Sequence, residues 1–415
     1  MTAPGWTDTA VWYAVYPLGM TGALHPTDPS EGHRLIRVEG WLDHLVSLGC
    51  NGLLLGPIFT SRSHGYDTLD YFSIDPRLGD DADFDSLVAA CHARGIRILL
   101  DGVFNHVSQD FPALQSALAS PDAPTADWFY IDYSTNPPTR LNFEGSDDLV
   151  RLNHSSPGVV KLVGDVMRHW LARGIDGWRL DAAYAVEPHF WATVLPDVRA
   201  QYPDALFTGE VIHSDLDRLK ASTLESVTAY ELWKAIWSSL NDANFFELDW
   251  TLTRHDELLD LTRPLTFIGN HDVTRITTLV GPQGAVLAMA VLCTVGGMPS
   301  VYYGDEGGLE GTKYERPGGD DEIRPELPAS ADQWRPPLPW LLDEYRALIA
   351  LRRRNPWLVN ARHKMTELTN QRLVYRSRAG DDWLQVDLDL EAGCSVVISG
   401  PQGESYRYES PRRPD

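Results

Sequence analysis

From Val11 to Tyr303 the chain alternates short, apolar, β-rich runs with amphipathic helical patterns, and this alternation constrains its fold more than any other feature. The strand-like runs are Val11–Tyr16, Gly52–Phe59, Gly95–Phe104, Asp176–Ala182, Ala205–Val211, Ser226–Glu231, Pro264–Asn270 and Met298–Tyr303. Gly95–Asp101 reads Gly-Ile-Arg-Ile-Leu-Leu-Asp, the near-continuous pattern of a strand covered on both faces. Helical periodicity fills the intervals at His33–Leu48, Asp83–Arg94, Pro157–Arg173, His189–Ala200 and Ala285–Val295. Eight such strands, each followed by a helix, predict an α/β chain folded as a (β/α)8 TIM barrel. Ser226–Glu231 carries the thinnest strand signal of the eight.

Two stretches break the alternation. Residues 107–156, rich in Pro, Asp, Ser, Thr and Asn, are longer than an ordinary βα loop and predict a small subdomain inserted after the third strand. From about residue 360 the pattern changes to Arg372–Arg378, Trp383–Leu390 and Cys394–Ser399 separated by turn residues, which predicts a C-terminal antiparallel β domain over 360–415. The barrel then comprises 1–106 and 157–359. A formal charge of −23 argues against nucleic acid and against an anionic membrane surface, both of which need clustered Lys and Arg. No unbroken 18-residue apolar run is visible, so no membrane span is expected. The N-terminus lacks the basic and apolar regions of a secretion signal. Cys50, Cys91, Cys293 and Cys394 are scattered in apolar surroundings, as expected of reduced thiols in a cytoplasmic protein.

In a (β/α)8 barrel the C-terminal strand ends converge on one face, so residues distant in sequence meet there. The third strand ends in Asp101-Gly-Val-Phe-Asn105-His106, and the fourth in Gly177-Trp-Arg179-Leu-Asp181. The fifth ends in Thr208-Gly-Glu210-Val-Ile-His213, and the seventh in Gly269-Asn270-His271-Asp272. His64-Gly-Tyr66-Asp67 follows the second. Carboxylates with an Arg, two His and aromatics, and no Cys/His metal spacing, suit cleavage of a glycosidic bond. That reaction needs one carboxyl to protonate the leaving oxygen and a second to stabilise or capture an oxocarbenium-like centre. Arg179 lies two residues before Asp181 and so shares its face of the strand, where it would hold Asp181 ionised. Glu210 has no adjacent cation in sequence and is the better acid/base.

These motifs resemble the four ordered regions of the α-amylase family of glycoside hydrolases: Asp101–His106, Gly177–Asp181, Gly209–Val211 and Phe267–Asp272. Gly65–Asp75 and Tyr303–Gly311 add to the likeness, which runs from about Val11 to Arg354. The resemblance implies Asp181 as nucleophile, Glu210 as general acid/base, and Asp272 as the residue holding the sugar's 2- and 3-hydroxyls. It implies sugar hydrogen bonds from His106 and His271, orientation of Asp181 by Arg179, and a stacking platform at Tyr66. Retention of configuration would place the Asp181 and Glu210 carboxyls roughly 5–5.5 Å apart. Asp101 reads as a buried support for these groups, and His213 either as a leaving-group contact or as a surface residue. Asn105 matches a calcium-supporting position of many family amylases, which neopullulanase-like members often lack; the chemistry itself requires no cofactor.

Within the family, Leu149-Val-Arg-Leu-Asn153 has the basic third residue, Arg151, of the neopullulanase and cyclomaltodextrinase form. Ser63 replaces an Asp that exo-acting glucosidases tend to carry. The expected substrates are maltooligosaccharides or cyclic glucans such as cyclodextrins or cyclic maltosyl-maltose. An exo-acting α-glucosidase and a trehalose-synthase-like isomerase or transglycosylase are the alternatives. An inactive amylase-like binding subunit is disfavoured by Asp181, Glu210 and Asp272. The first strand starts near Val11, which leaves no room for the N-terminal dimerising domain of neopullulanase-type relatives, so a monomer or a differently built homodimer is expected. His44, His92 and His169 read as structural or solvated, Asp67 and Asp70 as loop braces, and Trp12, Trp41, Trp170 and Trp233 as core. Trp128 is divided between core and sugar contact, and Asp80–Asp83 fits a helix N-terminus.

Overall fold

The computed structural model describes residues 3–24, 32–316, 318–391 and 393–410. Eight parallel strands form one sheet: β1 (Trp12–Val15), β2 (Gly52–Leu55), β3 (Arg97–Gly102), β4 (Gly177–Leu180), β5 (Leu206–Gly209), β6 (Ser226–Val227), β7 (Leu265–Phe267) and β8 (Met298–Tyr302). Their order around the sheet is β6-β5-β4-β3-β2-β1-β8-β7. A parallel bridge from Thr228 to Leu265 joins β6 to β7 and closes the barrel. All eight predicted strands are present, each shorter than its apolar run. The predicted sixth strand shrinks most, because its second half, from Tyr230, begins a helix.

Side chains alternate along each strand, and the register stacks them in layers inside the barrel. Trp12, Leu54, Leu99, Leu206, Leu265 and Met298 form one apolar cluster. Gly52 leaves space for the Trp12 indole, since a Cβ there would lie 2.3 Å from the ring. Two residues further along the strands the interior becomes polar: Arg179 pairs in register with Asp101 on one side and Thr208 on the other. Another two residues on, Asp181 and Glu210 emerge at the rim. The intervening residues, among them Leu53, Leu55, Ile98, Leu100, Trp178 and Phe207, point outward into the main core beneath the helices.

After β3, strands His106–Ser108, Asn142–Phe143 and Ser146–Arg151 form a small antiparallel sheet, accompanied by the helix Pro112–Ala119. At the other end of the chain lies a five-stranded antiparallel meander, Arg362–Leu368, Arg372–Ala379, Asp382–Asp389, Ser395–Gly400 and Gly403–Glu409. Its first and last strands are edges whose polar side chains hide the strand signal. Residues 411–415 of the expected β tail lie outside the described residues. The predicted helix His33–Leu48 is divided into Leu35–Glu39 and Leu42–Leu48. Between them Gly40 packs so closely on the Ala329 carbonyl that a Cβ would stand 2.5 Å from it.

Helix Ile276–Thr294 is long and apolar enough to cross a bilayer by length and composition. Thr, Gly, Pro and Gln interrupt the stretch, so no unbroken run marks it in the sequence. It is broken at Gly281 (φ 71°), and Gly284–Thr294 is buried against helices Tyr230–Asn241 and Pro339–Arg354. Cys50, Cys91 and Cys293 are free and buried.

Three buried histidines donate Nε2–H to backbone carbonyls: His106 to Tyr66 (3.0 Å), His154 to Phe104 (2.9 Å) and His255 to Gly296 (2.8 Å). Burial outweighs these bonds and pushes His106 down to about 3 and His154 and His255 to about 4. In the unfolded chain the same rings titrate near 6.5. On unfolding these rings take up protons between pH 7 and 5, which lowers stability as pH falls; the buried carboxyls of Asp181 and Asp305, raised above their ordinary values by burial, release protons on unfolding and act in the opposite sense. The histidine share is read by difference: His255→Gln, which keeps a donor for the Gly296 carbonyl, should show a urea midpoint that falls less from pH 7 to 5 than that of the wild type. Parallel midpoints over that interval would contradict the neutral, buried state of this ring.

Candidate active site

Three adjacent strand ends bring Asp101, Arg179, Asp181 and Glu210 together around one guanidinium. Arg179 Nη1 donates to both Asp101 oxygens at 2.8 Å and to Asp181 Oδ1 at 2.9 Å. Its Nη2 lies 2.8 Å from Glu210 Oε1. The premise that Glu210 stands apart from any cation is therefore corrected: the cation is distant in sequence, but barrel curvature brings it across. Glu210 also accepts the Ala182 N–H at 2.8 Å and the Tyr230 hydroxyl at 3.2 Å. Asn270 donates to that same hydroxyl at 2.8 Å, linking the β7 end to Glu210 through Tyr230.

The charges do not cancel one to one. Burial raises the Asp181 carboxyl well above its ordinary value; Arg179 opposes this, while Glu210, Asp101 and Asp272 reinforce it. Burial acts on Arg179 in the opposite sense, but the surrounding carboxylates outweigh it and hold the guanidinium firmly protonated. Asp272, partly open to the cleft, is different. Its enclosure favours the neutral acid, but His271, Arg324 and Arg179 outweigh that and hold it well below the usual carboxylate range. His271 Nε2 and Arg324 Nη2 each lie 3.0 Å from one of its oxygens.

The aromatic wall is built from β1, β2 and β7 loops. His271 stacks on Tyr66 with centroids 5.3 Å apart and on Tyr16 at 5.8 Å, and Arg324 covers the Tyr16 ring. The Tyr66 hydroxyl donates to Asp101 Oδ2 at 3.0 Å and also meets His271 Nε2. Burial and the Asp101 charge raise this phenol well above its ordinary value, so it stays a neutral donor. A cavity of about 330 Å³ opens over these groups, lined by Tyr66, His106, Asp181, Glu210, Tyr230 and Asp272 together with Phe143 from the insert.

The structure thus gathers Tyr66, His106, Asp181, Glu210 and Asp272 on one cleft, with Arg179 and Asp101 beneath them and His271 behind Tyr66. His106 differs in detail from its expected part. Its Nε2 is bound to the Tyr66 carbonyl and its Nδ1 lies 3.1 Å from Asn105 Nδ2, so both ring nitrogens brace the wall. Phe143 covers the ring at 4.7 Å. His213 is not brought to the carboxyls; its side chain is 87% exposed and lies 3.9 Å from Glu231. Trp128 packs on Gly158 and the core rather than on the cleft. Asp67 and Asp70 accept hydrogen bonds from their own loops. Arg151 reaches from the insert to the Ala185 carbonyl at 3.3 Å, tying that sheet to the loop after β4.

Sequence reasoning missed Tyr230, Phe143 and Arg324, which lie outside the recognised motifs. The place of Tyr230, just past the β6 end, was the available signal; Arg324 sits in a long loop after β8 and carried none.

The expected calcium position can be tested on its donors. Asn105 Oδ1 is a buried acceptor with no partner among the described residues. Calcium takes six to eight oxygens. The single described cluster of three acidic or imidazole groups close enough to share an ion is His33, Asp80 and Asp83 on the surface, not at Asn105. Asn105 thus offers one unpartnered buried oxygen, with no such cluster beside it among the described residues.

Removing Arg179 leaves three buried carboxyls without their cation. Arg179→Met should lower stability at pH 7 by about 3–5 kcal/mol, as for other broken buried ion pairs. The deficit should shrink toward pH 4 as the carboxyls protonate, which urea titrations of both proteins at the two pH values would read.

Residues 35–377 match the alpha-amylase catalytic-domain family. Cyclomaltodextrinase of Geobacillus thermopakistaniensis (strain MAS1) is 32% identical over 337 residues, covering 73% of this chain and 57% of that protein. Neopullulanase 2 of Thermoactinomyces vulgaris is 34% identical over 335 residues, covering 74% and 57%. The chain thus spans somewhat over half the length of these curated relatives. Among solved structures, the cyclic alpha-maltosyl-(1→6)-maltose hydrolase of Arthrobacter globiformis, in complex with cyclic alpha-maltosyl-(1→6)-maltose, superposes with a TM-score of 0.84 at 29% identity. The match covers 98% of this chain and 99% of that one. The debranching enzyme of Nostoc punctiforme, soaked with acarbose, gives a TM-score of 0.80 at 25% identity, covering 96% and 92%.

Proposed function

The chain belongs to the alpha-amylase family, and from that premise we propose that it is a retaining glycoside hydrolase of α-glucosidic bonds in maltooligosaccharides and cyclic glucans. The observation that carries this reading is the single guanidinium of Arg179 shared by Asp101, Asp181 and Glu210, with Asp272 held ionised across the cleft. Acid-plus-nucleophile chemistry requires one proton on the Asp181–Glu210 pair, and the burial and neighbouring carboxylates that raise Asp181 well above its ordinary value favour a proton there.

In the proposed reaction Tyr66 presents its ring to the sugar, while Asp272 accepts hydrogen bonds from the hydroxyls. As the glycosidic bond lengthens, positive charge grows at the anomeric carbon next to Asp181. That charge favours the anion at Asp181 and leaves the shared proton on Glu210, which delivers it to the departing oxygen. Asp181 then bonds to the anomeric carbon. Water enters, gives a proton to Glu210, and releases the sugar with its configuration retained. Arg179 fixes both carboxyls throughout. Tyr230 and the Ala182 N–H hold Glu210 in place.

The names of the relatives support the substrate class, since they act on cyclomaltodextrin or, in the Arthrobacter enzyme, on cyclic maltosyl-maltose. A cytoplasmic location is part of the proposal; it is supported by the free, buried thiols of Cys50, Cys91 and Cys293 and by a relative named intracellular maltogenic amylase from Bacillus subtilis. The partner is then a small α-glucan.

Asp181→Asn and Glu210→Gln should each lower kcat on maltotriose and β-cyclodextrin by at least about a thousandfold with the melting temperature nearly unchanged. Chromatography of the products should show glucose and maltose. Equimolar conversion of maltose to trehalose, or activity surviving in either variant, would overturn the assignment.

A further inference from the structure

Beyond Tyr184 and Ile212 the cleft wall continues into a second cavity of about 240 Å³. It lies between the segments that follow the two central carboxyls, Ala183–Val186 after Asp181 and Val211–His213 after Glu210. Val186, Trp191, Val211, Ile212, Leu219 and Leu224 form its apolar lining.

Most of the polar groups around it are already engaged, and the His213 side chain in its lining is exposed to solvent. Asp215 caps its own helix through the Asp217 and Arg218 N–H groups. Arg218 donates to the Val186 carbonyl at 3.2 Å and lies 3.6 Å from Glu187. Ser222 donates to the Leu219 carbonyl. The Trp191 Nε1–H alone among the lining donors is buried without a partner among the described residues. A glucose ring here would bury hydroxyls with almost nothing to receive them, at about 1–3 kcal/mol each. An apolar group loses nothing, and an engineered cavity of about 150 Å³ already holds a benzene molecule.

We propose that this cavity is an aglycone site, which accepts the apolar or aryl portion of an α-glucoside whose sugar occupies the neighbouring cleft. A single acceptor oxygen on that group would serve the Trp191 N–H. The inference rests on the hydrolase reading, because Glu210 as proton donor puts the departing oxygen on the side from which Val211 and Ile212 lead into the cavity. The step is the one already described. The bond between the anomeric carbon and the aglycone oxygen breaks, Glu210 protonates that oxygen, and Asp181 bonds to the carbon. The alcohol leaves neutral, and water then hydrolyses the glycosyl-enzyme and returns the proton to Glu210. The chain would therefore cleave α-glucosides of apolar alcohols as well as glucans.

A series of straight-chain alkyl α-maltosides from methyl to hexyl tests this, because the leaving alcohols hardly differ in acidity while their buried length grows. kcat/KM should rise by about fourfold for each methylene that enters the cavity, then level off. Leu219→Trp fills the cavity from outside the catalytic groups; it should flatten the series while maltotriose turnover stays at the wild-type rate. Should the variant fold poorly, calorimetry on Glu210→Gln with methyl and hexyl α-maltoside reads the same contacts without turnover, and hexyl should bind at least tenfold tighter. A flat wild-type series alongside normal maltotriose hydrolysis, or equal calorimetric affinities, overturns the aglycone site alone. Absence of turnover with every glucoside removes the hydrolase reading, and this site falls with it.

Discussion

Arg179 is the interaction on which the rest of the site depends. A guanidinium that is 4% exposed is costly to bury, and it is tolerated because carboxyls from three strand ends face it. That arrangement requires register: Arg179 must stand level with Asp101 on β3, and Asp181 must lie one full side-chain period above it. The requirement extends downward. The layer beneath is apolar and filled by Trp12, Leu99 and Leu206, which excludes water from the far side of the ion cluster. Low permittivity then strengthens every charge contact above. At Gly177 a Cβ would stand 2.1 Å from the Leu206 carbonyl, so any larger residue would push β4 away from β5 and move Arg179 with it.

A second buried arginine extends this order to the loop after β8. Arg275 is fully buried and donates to the Tyr303 carbonyl, to Asp305 Oδ1 and to the Ile323 carbonyl. Ile323 precedes Arg324, whose Nε binds the His271 carbonyl at 2.9 Å and whose Nη2 meets Asp272. A long, irregular loop is thereby given one position relative to β7. Asp272 owes its ionised state first to its neighbour His271 and then to Arg324, which only tertiary structure brings near it.

What the sequence revealed and what it hid follow from range. Strand periodicity is local, so the eight barrel strands and the carboxyls at their ends could be read directly, and period two alone placed Arg179 beside Asp181. Curvature of the sheet is not local, and it carried the same arginine to Glu210, which sequence neighbours had left uncharged. The Tyr230 and Arg324 contacts were hidden for the same reason. The edge strands Arg362–Leu368 and Gly403–Glu409 were obscured differently: one face meets water, so their patterns mix charge with apolar residues. His106 was legible as a cleft residue, but the commitment of its Nε2 depends on the Tyr66 carbonyl, which the loop after β2 brings to it.

The incomplete neutralisation of the cluster bears on how such a site discriminates between states of its substrate. Asp101, Asp181 and Glu210 share the single guanidinium of Arg179, so even with one proton on the three carboxyls one negative charge remains around it. A neutral sugar gains little from that excess. An oxocarbenium-like centre developing next to Asp181 gains a great deal, because the field is already in place, is shielded from water, and needs no rearrangement to respond. A second arginine beside Asp181 would stabilise the folded chain and weaken that preference, since it would neutralise the field that distinguishes the transition state from the bound glucan. On this argument the residual negative charge, which makes the cluster costly to fold, is the source of its catalytic selectivity, and Arg179 limits the cost without removing the field.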